Sequence, residues 1–170
     1  MHAKQALKSQ YSLFYRTVAM NTEGMTHDDS MIQPVPAGNC ANWILGHLIG
    51  AQNMIMEAIG EAPVWDSETL ANAGGDPITD SSAAIDWDTA RAKLLASQNR
   101  CLAAIENLTD EQLDKGGYEN PLGGEITLGG LINFFAYHQA YHAGQLGMSR
   151  RMAGYESAIN PGRETAGEAT

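Results

Sequence analysis

Four separate stretches, each about 20 residues long, repeat apolar side chains at steps of three and four, and none shows the sustained step of two that a strand requires. In the first, residues 3 to 21, Leu7, Tyr11, Phe14, Tyr15 and Val18 fall on one helical face. The second follows Asn39, a good N-cap residue, and runs through "CANWILGHLIGAQNMIMEAIG" to Gly60, which offers a stop. A third spans about 87 to 107, capped by Asp86 or Asp88, with Leu94, Leu95, Cys101, Leu102, Ile105 and Leu108 facing inward. The last starts at Thr127 as cap and reads "LGGLINFFAYHQAYHAGQLGMSRRMAG", with Arg150 and Arg151 at its dipole-negative end. Helices of this length bury their apolar faces against one another, so an all-α four-helix bundle is expected.

The connections refine this expectation. "NTEGMTHDDS" breaks the first helix, and a segment carrying Pro34 and Pro36 leads to the second. Residues 61 to 86 hold two prolines, a GG pair and several serines and acids without a sustained period. At about 3.3 Å per extended residue, those 26 residues cross the length of a bundle. Helices two and three are therefore expected to run parallel, with helices two and four antiparallel. "TDEQL" at 109 to 113 reads as a short capped turn, and "DKGGYENPLGGEI" as a glycine-rich link. Residues 1 to 154 are expected to form one domain, followed by a loose tail from 155 to 170.

Charge and cysteine content narrow the function. Twenty acidic against ten basic side chains give a net charge of -10, which repels phosphate backbones and anionic membranes, so nucleic acid and membrane partners are not expected. Cys40 and Cys101 are too few for a disulfide framework and form no CxxC pair. The first 20 residues lack the apolar core of a signal peptide, and no run reaches the roughly 18 apolar residues of a membrane span, so a cytoplasmic location is expected.

Of five histidines, His138 and His142 stand four apart in "YHQAYHAGQLG", one turn apart on the face marked by Leu131 and Phe135. A buried, unpartnered ring nitrogen costs on the order of 1–3 kcal/mol, so each needs a partner. The spacing alone also suits core histidines bonded to backbone carbonyls. His47, one turn after Trp43 on the second helix, supplies a third imidazole from a nearly uncharged stretch. Three imidazoles from two helices make a mononuclear site for zinc, nickel or iron with an open coordination position. His2 and His27 read as solvated. No HExxH or paired Glu-x-x-His pattern is present, which argues against a zincin peptidase and a di-iron bundle.

"NWILGHLIGAQ" on one helix and "TLGGLINFFAYHQAYHAGQLGMSRR" on the last resemble the DinB-like (YfiT-like) metalloprotein family, across all four helices in order. The resemblance implies an up-down-down-up bundle, frequent homodimers, and zinc or nickel held by three histidines, here His47, His138 and His142. Many relatives carry two adjacent histidines before Gly-Gln; here Tyr141 takes the first of those places, and the carried-over ligand is the second, His142. Gly144 is expected where helices approach closely, Gln145 as a hydrogen-bonding neighbour of the metal ligands, and Trp43 and Tyr141 as pocket walls.

Relatives of known activity include bacillithiol- and mycothiol-dependent S-transferases and a mycothiol-dependent isomerase. The resemblance therefore implies transfer of a low-molecular-weight thiol to a small electrophilic substrate. Three histidines around a divalent ion leave room to hold such a thiol as its nucleophilic thiolate. Metal-assisted hydrolysis is the alternative enzyme reading, and a stress-linked metal-binding bundle without turnover is the non-enzyme one.

Overall fold

The computed structural model describes residues 3–35, 37–66, 68–70 and 75–159. Long helices α1 (Ala3–Thr22), α3 (Ala41–Ala58) and α7 (Leu128–Met152) carry most of the mass; α4 (Trp87–Ala96) and α5 (Gln98–Asn107) together form the remaining arm. Two short helices, α2 (His27–Ser30) and α6 (Asp110–Asp114), and a two-stranded hairpin, β1 (Tyr118–Glu119) with β2 (Glu125–Ile126), fill the connections. Buried side chains from every long helix form one core, with Trp87, Tyr11, Tyr15, Phe14 and Leu45 among its largest members.

Cross-helix bonds give the directions. Asn42 at the start of α3 donates to Ile85 O just before α4, and Gln52 further along α3 donates to Cys101 in α5, so the two arms run parallel. His47 meets His138 while Trp43 meets His142, so α3 and α7 are antiparallel. Tyr11 donates to Ile132 O and Asn21 to Ala143 O, placing α1 and α7 parallel. The order is up-down-down-up. Much of the described crossover is exposed, but Leu70, Ile78 and Ile85 are buried against the core and anchor it. No helix among the described residues is long and apolar enough to cross a membrane.

The caps explain where helices start. Asp86 accepts from Thr89 N, and Thr109 and Gln112 form a capping box ahead of α6. Thr127 Oγ1 accepts from Gly130 N at 3.1 Å at the head of α7. A Cβ on Gly130 would lie 2.5 Å from the Ile126 side chain, so glycine is needed where the helix leaves the hairpin. Thr127→Ala is expected to cost about 1 kcal/mol, lowering Tm by about 2–4 °C in a thermal melt of the metal-free protein.

Several local expectations are corrected. Cys40, not Asn39, is the N-cap of α3, and it makes no side-chain cap bond; Asn39 Oδ1 is buried without a partner. The third helical stretch is interrupted at Ser97, whose hydroxyl donates back to Leu94 O at 2.7 Å and pairs with Tyr15. Back-bonding of this kind bends a helix. "NTEGMTHDDS" contains α2 with its Thr26–Asp29 capping box, and the hairpin supplies a short strand pair where none was expected. An added Cβ at Gly144 would meet nothing within 4 Å, so no close helix contact explains it; a Cβ added at Gly147 would lie 3.2 Å from Asn21 Nδ2, so Gly147 is the glycine at which α7 packs closely on α1. The tail's first residue is held: Tyr155 donates to Gly24 O and Asp29 and lies under the Arg150 guanidinium. His27 is exposed, as expected, whereas His2, Pro36 and residues 160–170 lie outside the described residues.

Candidate metal centre

His47 and Trp43 share the α3 face one turn apart, and His138 and His142 share the facing edge of α7. Antiparallel packing brings the three imidazoles together: ring centroids lie 4.5 to 4.9 Å apart, and one ring nitrogen from each lies within 4.8 Å of the others. The Nε2 atoms of His47 and His138 approach to 3.0 Å. Tetrahedral ligands at 2.0–2.1 Å from an ion stand about 3.3 Å apart, so the cluster needs only small side-chain shifts to receive one. No aspartate, glutamate or cysteine among the described residues joins it.

Neighbouring groups fix the rings. Gln145 Oε1 accepts from His142 Nδ1 at 2.7 Å, which leaves the His142 Nε2 lone pair for the cluster. Trp43 stacks on His47 with centroids 4.8 Å apart and planes 15° apart, and its indole N–H donates to Gly75 O in the crossover. Phe134 stacks near His138 and Phe135 meets it edge-on at 5.8 Å. Tyr141 is 58% exposed and edge-on to His142, so it stands at the rim of the site rather than inside it. The two phenylalanines were not singled out as site walls by sequence reasoning, although their places three and four residues before His138 put them on its face. His138 Nδ1 is buried without a hydrogen-bond partner.

The electrostatics suit a cation. Burial, then His142 and His138, push His47 down to about 4; burial followed by His142 lowers His138; burial lowers His142 against the opposing Gln145 bond. All three rings are neutral at pH 7, with lone pairs available, and no carboxylate among the described residues counters the fall. Three neutral imidazole donors that bring one ring nitrogen each within 4.8 Å of the others fit a divalent transition ion.

The sign of the pH effect follows. Unfolded histidines take protons near pH 6.5, whereas folded His47 refuses one until about 4, so the metal-free protein loses stability as pH falls through that window. Discounted for the half-exposed ring, the loss is about 1–2 kcal/mol. Urea unfolding of chelator-treated protein at pH 7.5 and 5 should show it, and His47→Ala should flatten it. Equal pH dependence in the variant would reject this origin.

The model of the DinB superfamily matches residues 10–146. Among solved structures, a conserved protein from Enterococcus faecalis superimposes with a TM-score of 0.70 at 17% identity, covering 90% of this chain and 98% of its own. YfiT from Bacillus subtilis, described as a probable metal-dependent hydrolase with an unusual four-helix bundle topology, gives 0.67 at 18% identity, covering 90% of this chain and 89% of its own. No curated protein matches the sequence.

Proposed function

The chain belongs to the DinB superfamily, and from that premise we propose that it is a metal-dependent enzyme whose divalent ion, zinc or nickel, is held by His47, His138 and His142. The observation that carries the reading is the convergence of three neutral imidazoles, one from α3 and two from α7, with Gln145 orienting His142. When bound, the ion supplies Lewis acidity that lowers the pKa of a thiol or a water in the remaining coordination position. The residues hold the ion, and Trp43, Phe134 and Phe135 exclude water from the inner side.

The nucleophile in this reading is a low-molecular-weight thiol of the bacillithiol or mycothiol type. Its sulfur forms the new bond to an electrophilic carbon, the leaving group departs with its electron pair, and the thiol proton passes to solvent. That no carboxylate among the described residues joins the cluster supports it, because a thiolate needs no general base. Hydrolysis is the second reading, favoured by the description of YfiT.

Holo-protein incubated with monochlorobimane and bacillithiol, mycothiol, coenzyme A or glutathione in turn tests the choice. Turnover requiring both metal and thiol supports S-transfer. Metal-dependent cleavage of ester and amide substrates without thiol supports hydrolysis, and failure of both leaves a metal-binding bundle. A cytoplasmic homodimer belongs to the same proposal: Leu13, Tyr137, Tyr141 and Met148 leave a large apolar stripe exposed over α1 and α7. Light scattering should return twice the 18.2 kDa chain mass.

A further inference from the structure

Within residues 41 to 50 of α3, every residue is buried except His47 and Gly50, which are partly exposed. Beyond them Met54 and Glu57 are exposed at the same three- and four-residue step, so one open stripe starts at a member of the histidine cluster and runs along the helix. From His47 to Glu57 it extends about 15 Å. Antiparallel α7 forms the opposite bank. The space beside Gly50 is open, since a Cβ there would meet nothing within 4 Å.

The stripe ends in a cavity of about 430 Å³ between α3, α7 and the hairpin. Phe135 belongs to both places: it lines the cavity and stands edge-on to His138 at 5.8 Å. Met54, Leu131 and Phe135 make the cavity apolar, while Glu57 and Glu119 stand exposed at its lip beside Tyr118. Neither carboxylate is in an ion pair among the described residues.

We infer that this groove and cavity form the substrate subsite, taking a small molecule with an apolar body and a cationic, ammonium-type end received by Glu57 and Glu119. The reacting carbon then lies at the histidine cluster. The inference rests on the metal-site reading, and it supplies the substrate's shape and charge. Two unpaired carboxylates at the mouth of an apolar cavity favour a cation over an anion of the same size, and the chain's charge of -10 adds to that preference.

Three probes with one body test it: 4-phenylbutylamine, 4-phenylbutanol and 4-phenylbutyrate, titrated by calorimetry into metal-free and metal-loaded protein. The amine should bind about five-fold tighter than the alcohol and the butyrate weakest, with the preference shrinking in high salt. In a Glu57→Gln/Glu119→Gln variant the amine should fall to the level of the alcohol, and Gly50→Leu should weaken all three. The Met54 methyl signal should shift on binding. Equal binding of the three probes, or shifts confined to Leu13 and Tyr137 on the α1–α7 side, would overturn the subsite. Metal content is measured separately: protein that takes an ion but shows no preference for the amine loses the subsite and keeps the metal reading. Amine binding in the groove of a protein that takes no ion does the reverse.

Discussion

Replacing His47, His138 or His142 singly with alanine is expected to lower affinity for zinc or nickel by more than about 100-fold while leaving the metal-free protein folded. Removing a group that only orients a ligand costs 10–100-fold, so Gln145→Ala should fall in that range, and loss of a ligand itself should exceed it. At neutral pH the metal-free fold does not depend on these rings, which are only half-buried and carry no core packing comparable to Trp87 or Tyr11. Ion at 100 times its dissociation constant adds about 2.7 kcal/mol to wild-type stability, and the variants should lose that increment. Wild-type protein purified without a histidine tag that carries no stoichiometric ion would sink the three-ligand model. So would a His47→Ala variant that retains full affinity.

The helices and their directions were legible because both leave a local trace. Apolar side chains at three- and four-residue steps mark each inner face, and a 26-residue breaker-rich connection can span the bundle where a short loop cannot. The histidine cluster was legible for the same reason: His138 and His142 are one turn apart, and the nearly uncharged face around His47 had to pack inward. Details set by partners distant in sequence were not. The break at Ser97 depends on Tyr15, 82 residues away, and the identity of the α3 cap depends on how the preceding segment turns. Gly144 and Gly147 look alike in sequence, yet only Gly147 faces Asn21. The α2 capping box, Thr26 to Asp29, is a local signal that was readable and was absorbed into a break. The hairpin, and with it the cavity that Tyr118 and Glu119 help to line, arises only when residues 118–126 fold over the α3–α7 groove.

Gln52→Leu should cost about 3 kcal/mol in urea unfolding of the metal-free protein, the largest single-residue stability effect expected outside the large core side chains. Gln52 and Gln139 are fully buried, and their amides form the bridge between α3 and α7: Gln139 Nε2 donates to Gln52 Oε1 at 2.7 Å, while Gln52 Nε2 donates to Cys101 Sγ at 3.2 Å. Gln139 Oε1 already lacks a partner, so removing Gln52 leaves the whole Gln139 amide unpaired in the core. A Gln52→Leu/Gln139→Leu double variant removes both amides together and should cost less than the sum of the singles by at least about 1 kcal/mol. Additive singles would show that the bridge contributes nothing as a pair. Gln139 adjoins His138 and Gln52 lies five residues past His47, so the bridge also pins the register that brings the rings together. The single and double variants should therefore all bind zinc or nickel more weakly than wild type, whatever their stability. Wild-type affinity in the double variant would mean that packing of the apolar faces alone sets the spacing of the site.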